Sequence, residues 1–170
     1  TNSVNYTFTG WSPTVSTTCT GAATYTAQYA SATNKYVVTF LDWNGNVLSS
    51  AQYDYGATPS APTNPSRAAD KTYTYTFSGW DKPIVAVSGG TVYTATYLPT
   101  YINYTVEFKD WNGTSLLKRT DYHYGDSVTQ PPNPTRAKDN TYLYTFSGWD
   151  KTLSNVTGNE VYTAQYTPTY

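Results

Sequence analysis

The chain has 170 residues, of which 17% are aromatic and 12% charged, with a net charge of −1. High aromatic content with low charge excludes a disordered chain, and the near-neutral balance excludes the electrostatic footprint of a nucleic-acid or anionic-membrane binder. No apolar run approaches the ~18 residues of a membrane-spanning helix, and the single cysteine, Cys19, allows neither an intramolecular disulfide nor a cysteine-based metal site.

In chain order the first signal is YTFTGW at 6–11, followed by TYTAQY at 24–29. Both segments return, as YTFSGW at 75–80 with VYTATY at 92–97, and as YTFSGW at 144–149 with VYTAQY at 161–166. Trp11, Trp80 and Trp149 lie 69 residues apart. A front half of the unit occurs only twice: YVVTFLDWNGN at 36–46 matches YTVEFKDWNGT at 104–114. Self-similarity at a fixed period marks a tandem array of one structural unit. The chain divides as 1–35, the incomplete C-terminal half of a unit, then full units at 36–103 and 104–170. Either residues 1–35 belong to a longer array or another chain supplies the missing front half.

Each full unit reads as about four strands. Residues 36–43 alternate, with Tyr36, Val38 and Phe40 on one side and Val37, Thr39 and Leu41 on the other. The second copy places Glu107 and Lys109 opposite Val106 and Phe108, so the Tyr/Val/Phe face is the core face. Asn44-Gly45 and Asn112-Gly113 predict hairpin turns. A second strand follows over about 47–55, with Val47, Ala51, Tyr53 and Tyr55 on one face. After a Pro-rich crossover at 57–70, in which Ala68–Lys71 could form one helical turn, strands at 72–80 and 91–97 align Tyr73, Tyr75 and Phe77, then Tyr93, Ala95 and Tyr97. About eight inward aromatics per unit are expected to compensate for its small size. Short seams holding Pro99 and Pro168 are expected to block ladder extension and to restrict the orientation of neighbouring units.

The segments FLDWNGNVL, YDYG, the Pro/Arg crossover with Arg67 and Arg136, TFSGWD and YTATY resemble the Listeria–Bacteroides, or internalin B-type, repeat in a longer variant. The resemblance covers nearly the whole chain. It implies a mainly β, β-grasp-like unit with a mixed sheet and little or no helix. It also implies a spacer or adhesive role at the surface of mostly Gram-positive bacteria, and it brings no catalytic residues.

The residues that could carry chemistry are few. His123 is the only histidine and is expected as an exposed strand residue; Cys19 is expected as a plain loop thiol. Asp42-Trp43-Asn44-Gly45-Asn46 begins like a calcium loop but lacks Gly at the sixth position and an acid at the twelfth, so a turn explains it better. Lys82 and Lys151 recur in a hydrophilic turn, which does not suit an isopeptide crosslink. Trp43 and Trp111, opposite the core set, and Tyr101 and Tyr170 in the seams could stack on sugar rings or cement neighbouring units. N-x-T sequons fall at Asn5, Asn103, Asn112 and Asn155, in expected surface turns or seams. No cofactor is implied.

The composition, with sparse Lys and Glu and abundant Thr, Tyr and Asn, leans to an extracellular setting. The reading is a non-enzymatic stalk or spacer of a secreted or cell-surface, adhesin-like protein, whose partners are neighbouring repeats or further copies of itself. Two alternatives stand beside it. One is a module that binds a glycan or protein receptor through exposed aromatics. The other is a filament subunit completed by strand exchange between chains.

Overall fold

The structure, a computed structural model, describes residues 3–170. Among them are ten strands and no helix: β1 (Val4–Ser12), β2 (Thr26–Thr33), β3 (Lys35–Leu41), β4 (Val47–Asp54), β5 (Tyr73–Trp80), β6 (Thr91–Tyr101), β7 (Tyr104–Lys109), β8 (Ser115–Tyr122), β9 (Leu143–Trp149) and β10 (Glu160–Thr169). β1 and β2 form a two-stranded sheet, and the rest form two four-stranded sheets in the orders β4-β3-β6-β5 and β8-β7-β10-β9. In each four-stranded sheet the first and last strands of the copy lie side by side and parallel, Val38–Leu41 against Thr91–Thr94 and Val106–Lys109 against Glu160–Thr163. Two hairpins joined so that their outer chain segments meet in the middle is the β-grasp-like order expected, with an extended Pro-rich crossover in place of a helix.

The chain folds as two compact units, one running through Ser66 and adding Phe77–Leu98, the other comprising Arg67–Thr76 and Pro99–Tyr170. In the first, Val38, Phe40, Val87 and Tyr93 are enclosed, with Tyr36, Tyr53, Trp80 and Ile84 packed against them. In the second, Val106, Phe108, Tyr122, Val156 and Tyr162 are enclosed, with Tyr104, Leu117, Val128, Trp149 and Leu153 around them. The core faces of the first and fourth strands are therefore those the alternation indicates. The ring set is smaller than about eight per copy: Phe40 and Tyr93 are enclosed in the first and Phe108, Tyr122 and Tyr162 in the second, and the other aromatics are partly exposed.

Three local expectations change. Val47 is 63% exposed and Ala51 is exposed, because β4 is an edge strand and only Tyr53 reaches the core. Ala68–Lys71 form no helical turn. Asp70 instead turns the chain into β5, its Oδ1 accepting from the Thr72 and Tyr73 amides at 2.7 and 2.8 Å. The hairpin expected at Asn44-Gly45 is present: Asn44 keeps negative φ, Gly45 takes φ +86°, and a bulge at Phe40/Leu41 closes the turn. Finally, β6 and β10 run on through Pro99 and Pro168. β10 pairs with β7 only as far as Thr163, so Pro168 has its neighbour β9 on one side and an open edge on the other, where a missing N–H costs nothing.

A bulge also explains the tryptophans. On β9 the register passes from Phe146 to Gly148 against Tyr166 and Gln165, which leaves Ser147 as the extra residue. Gly148 sits at φ +131°, a conformation a side chain would resist. The extra residue places Phe146 and Trp149, three positions apart, in contact at 5.4 Å. β1 repeats the device between Phe8 and Gly10.

Candidate functional site

The features that differ from a plain β core are aromatic, and they lie in the seams and in the crossover. In the seam after β6, Tyr101 is held between the rings of Tyr73 at 4.7 Å and His123 at 4.4 Å. The Ile102 amide donates to the Thr72 carbonyl at 2.9 Å, and the Tyr104 hydroxyl donates to the Lys71 carbonyl at 2.8 Å. The Lys71 ammonium stands 5.3 Å from the centre of the Tyr124 ring. Tyr73 is held above the ordinary tyrosine value by its hydrogen bond with Tyr101 and by burial. Tyr170 repeats the arrangement of Tyr101. Its ring lies 4.7 Å from Tyr142, the two hydroxyls are 2.9 Å apart, and the residue is 90% exposed.

The seam between β2 and β3 is built differently. Aligning YTFTGW and TYTAQY with their later copies puts Val4 where Tyr73 stands, Thr33 where Tyr101 stands and Asp54 where His123 stands. The Lys35 ammonium pairs with Asp54 at 2.8 Å, and Tyr36 meets Tyr55 at 6.4 Å. The backbone closes it, the Asn34 amide donating to Ser3 and the Tyr55 amide to Asn34.

In the second copy a cation is sandwiched between rings. The Arg136 guanidinium lies 3.9 Å from the Trp111 ring and 3.6 Å from the Tyr144 ring. The Tyr144 hydroxyl donates to Asp139 at 2.6 Å, while the other oxygen of Asp139 accepts from the Thr141 and Tyr142 amides. The Tyr144 hydroxyl, those two amides and the nearby Arg136 charge hold the Asp139 carboxyl below the usual carboxylate range. In the first copy Arg67 lies 3.6 Å over Tyr75, whose hydroxyl donates to Asp70 at 2.6 Å. Tyr166 donates to Asp110 at 2.8 Å, and burial followed by that bond pushes its phenol up to about 12.

The residues singled out from sequence are thus placed as follows. Trp111 is 50% exposed with Arg136 against it, and Trp43 is 49% exposed in the turn after β3. Tyr101 and Tyr170 are seam residues in tilted ring contact with Tyr73 and Tyr142. His123 is corrected: it lies just past β8, is half-buried, meets the Tyr101 ring at a tilt and donates its amide hydrogen to Asp126. Cys19 is free and exposed in the loop after β1. Asn103, Asn112 and Asn155 are exposed outside strands, whereas Asn5 is exposed within β1 rather than in a turn. Asp42 and Asn44 spend their side-chain oxygens on the turn, accepting from the Trp43 and Asn46 amides, and Asp42 also accepts from the Tyr97 hydroxyl. The Asp/Arg/Tyr clamp was missed, although R-x-x-D-x-T-Y-x-Y stands twice in the sequence, at 67–75 and 136–144.

Chemically this is an arrangement for holding backbone and rings in place. Among the described residues no group of three or more His, Cys, Asp or Glu could hold a metal ion. A solved structure described as Streptococcal High Identity Repeats in Tandem (SHIRT) domains 3-4 from cell surface protein is similar at 23% identity, over 79% of this chain and 99% of that one, with a TM-score of 0.36. No curated protein matches. The family model of the Listeria-Bacteroides repeat domain matches residues 36–97 and 104–170, most of the chain, and the protein therefore belongs to that family.

Proposed function

We propose that this chain is a non-catalytic spacer segment of a secreted or cell-surface, adhesin-like protein, with modules at 1–35, 36–103 and 104–170. The observation that carries the reading is the seam after β6. There the strand continues through Pro99, Tyr101 meets the tilted rings of Tyr73 and His123, and β7 begins three residues later. Hydrogen bonds from Ile102 to Thr72 and from Tyr104 to Lys71 hold the residues after β6 within their own compact unit, so this stretch is packed rather than free. A backbone held in this way suits a spacer repeat. The low charge and the Thr- and Tyr-rich surface suit an extracellular setting.

The test is to display the chain beneath an unrelated binding domain on a cell surface and to measure the binder's reach. Reach should increase with each added copy of 104–170 and should survive Trp111→Ala. A second reading, capture of a glycan or receptor, draws support from the half-exposed Trp43 and Trp111 rings. Saturable binding on a glycan array that Trp111→Ala abolishes would replace the spacer reading.

A further inference from the structure

Asn-Gly pairs stand at Asn44-Gly45 and Asn112-Gly113, one in each complete copy, in the turn after that copy's first strand. Glycine has no Cβ, so an asparagine carboxamide can approach the amide nitrogen of a following glycine more closely than that of any other residue. Both asparagines are exposed. No neighbouring atom lies within 4 Å on the side-chain side of either glycine, so nothing shields the pair sterically.

Hydrogen bonds hold the two reacting groups instead. The Gly45 amide, the nucleophile of a cyclisation, donates to the Asp42 carbonyl at 2.9 Å. The Asn44 Oδ1, on the group it would attack, accepts from the Asn46 amide at 3.1 Å. In the second copy Gly113 donates to the Asp110 carbonyl at 2.9 Å, and the Asn112 Oδ1 accepts from the Thr114 amide at 3.0 Å. Each turn is also fastened to the last strand of its own copy. The Asp42 carboxylate accepts from the Tyr97 hydroxyl at 2.7 Å, and the Asp110 carboxylate accepts from the Tyr166 hydroxyl at 2.8 Å.

We propose that Asn44 and Asn112 are sites of spontaneous succinimide formation that the closed turn holds off, so that each records the opening of its own copy. When the turn opens, the glycine amide nitrogen loses its proton and attacks the asparagine Cγ. A C–N bond closes the ring and ammonia leaves. Water then adds to one of the two ring carbonyls. Attack at Cγ gives aspartate, and attack at the main-chain carbonyl gives isoaspartate. Nothing is oxidised or reduced, and water is the only co-reactant. Isoaspartate lengthens the backbone by one atom, which takes the glycine amide out of register with the aspartate carbonyl, so the change is one-way. Chemistry confined to an opened form follows the population of that form. The inference goes beyond the spacer reading and stands without it.

The test is peptide mapping of the intact chain incubated at neutral pH, with aspartate and isoaspartate products separated by chromatography and mass spectrometry. Both asparagines should convert at least tenfold more slowly than Asn112 in a synthetic peptide of residues 104–118. In urea that unfolds the chain, both should reach the peptide's rate and outrun every other asparagine. Below that transition, each rate should rise in step with amide exchange at Gly45 or Gly113. Phe108→Ala should speed conversion at Asn112 at least tenfold and leave Asn44 unchanged. An intact-chain rate equal to the peptide's would overturn the proposal. So would rates that do not follow amide exchange, or a Phe108→Ala effect shared equally by both sites.

Discussion

Phe40 meets Tyr93 and Trp80 at 5.0 and 4.8 Å, and Phe108 meets Tyr162 and Trp149 at 5.0 and 4.7 Å. The seams that precede these two cores share little. Ahead of β3 stand Val4, Thr33 and an exposed Lys35–Asp54 pair; ahead of β7 stand Tyr73, Tyr101 and His123 in one cluster of tilted rings. The difference follows from burial. An enclosed ring loses contacts on every side when its neighbour changes, so the two cores keep one geometry. A seam is half in water, where an ion pair and an aromatic cluster both suffice, although they are not equal in strength.

The first way to break this comparison is in the cores. Phe108→Ala and Phe40→Ala should each cost about 3–5 kcal/mol. Hydrogen exchange should show each loss confined to the altered copy; a loss shared by both would mean that the copies unfold together. The next largest effect belongs to the aromatic seam. Tyr101→Ala should cost about 1–2 kcal/mol and speed exchange at Ile102, whereas Thr33→Ala should stay within about 0.5 kcal/mol. Equal effects at the two positions would erase the distinction between the seams. Lys35→Ala should cost no more than about 1 kcal/mol, and the cost should fall with added salt.

The pH limbs give the smallest effects. Asp139 titrates below its unfolded value, so its contribution is complete above that value and is lost as pH falls through the lower, folded one. Asp139→Asn should flatten the acid limb of thermal stability. Tyr166 titrates above its unfolded value, so its contribution holds below pH ~10 and is lost as pH rises towards about 12. Tyr166→Phe should flatten the alkaline limb, and an unchanged limb in either variant would show that the bond does not persist in solution.

The repeat made most of the fold readable. Comparing Val37 with Thr105, and Thr39 with Glu107, showed which face of the first strand is buried, because charge at one copy vetoes burial at both. The bulges were not readable. YTFSGW alternates as a plain strand would, and only the register against β10 reveals that Ser147 is extra. The Arg136 sandwich escaped because its three partners come from a turn, a crossover and a strand, brought together by the fold and by no local period. His123 was misplaced for a similar reason, since its burial comes from Tyr101 and not from its own strand.

The seam after β6 carries the spacer reading, and 15N relaxation across Thr100–Asn103 tests it most directly. A packed junction predicts backbone order parameters of about 0.85 at these residues, equal to those of β6 and β7. Values below about 0.6, the range of a flexible linker, would contradict it.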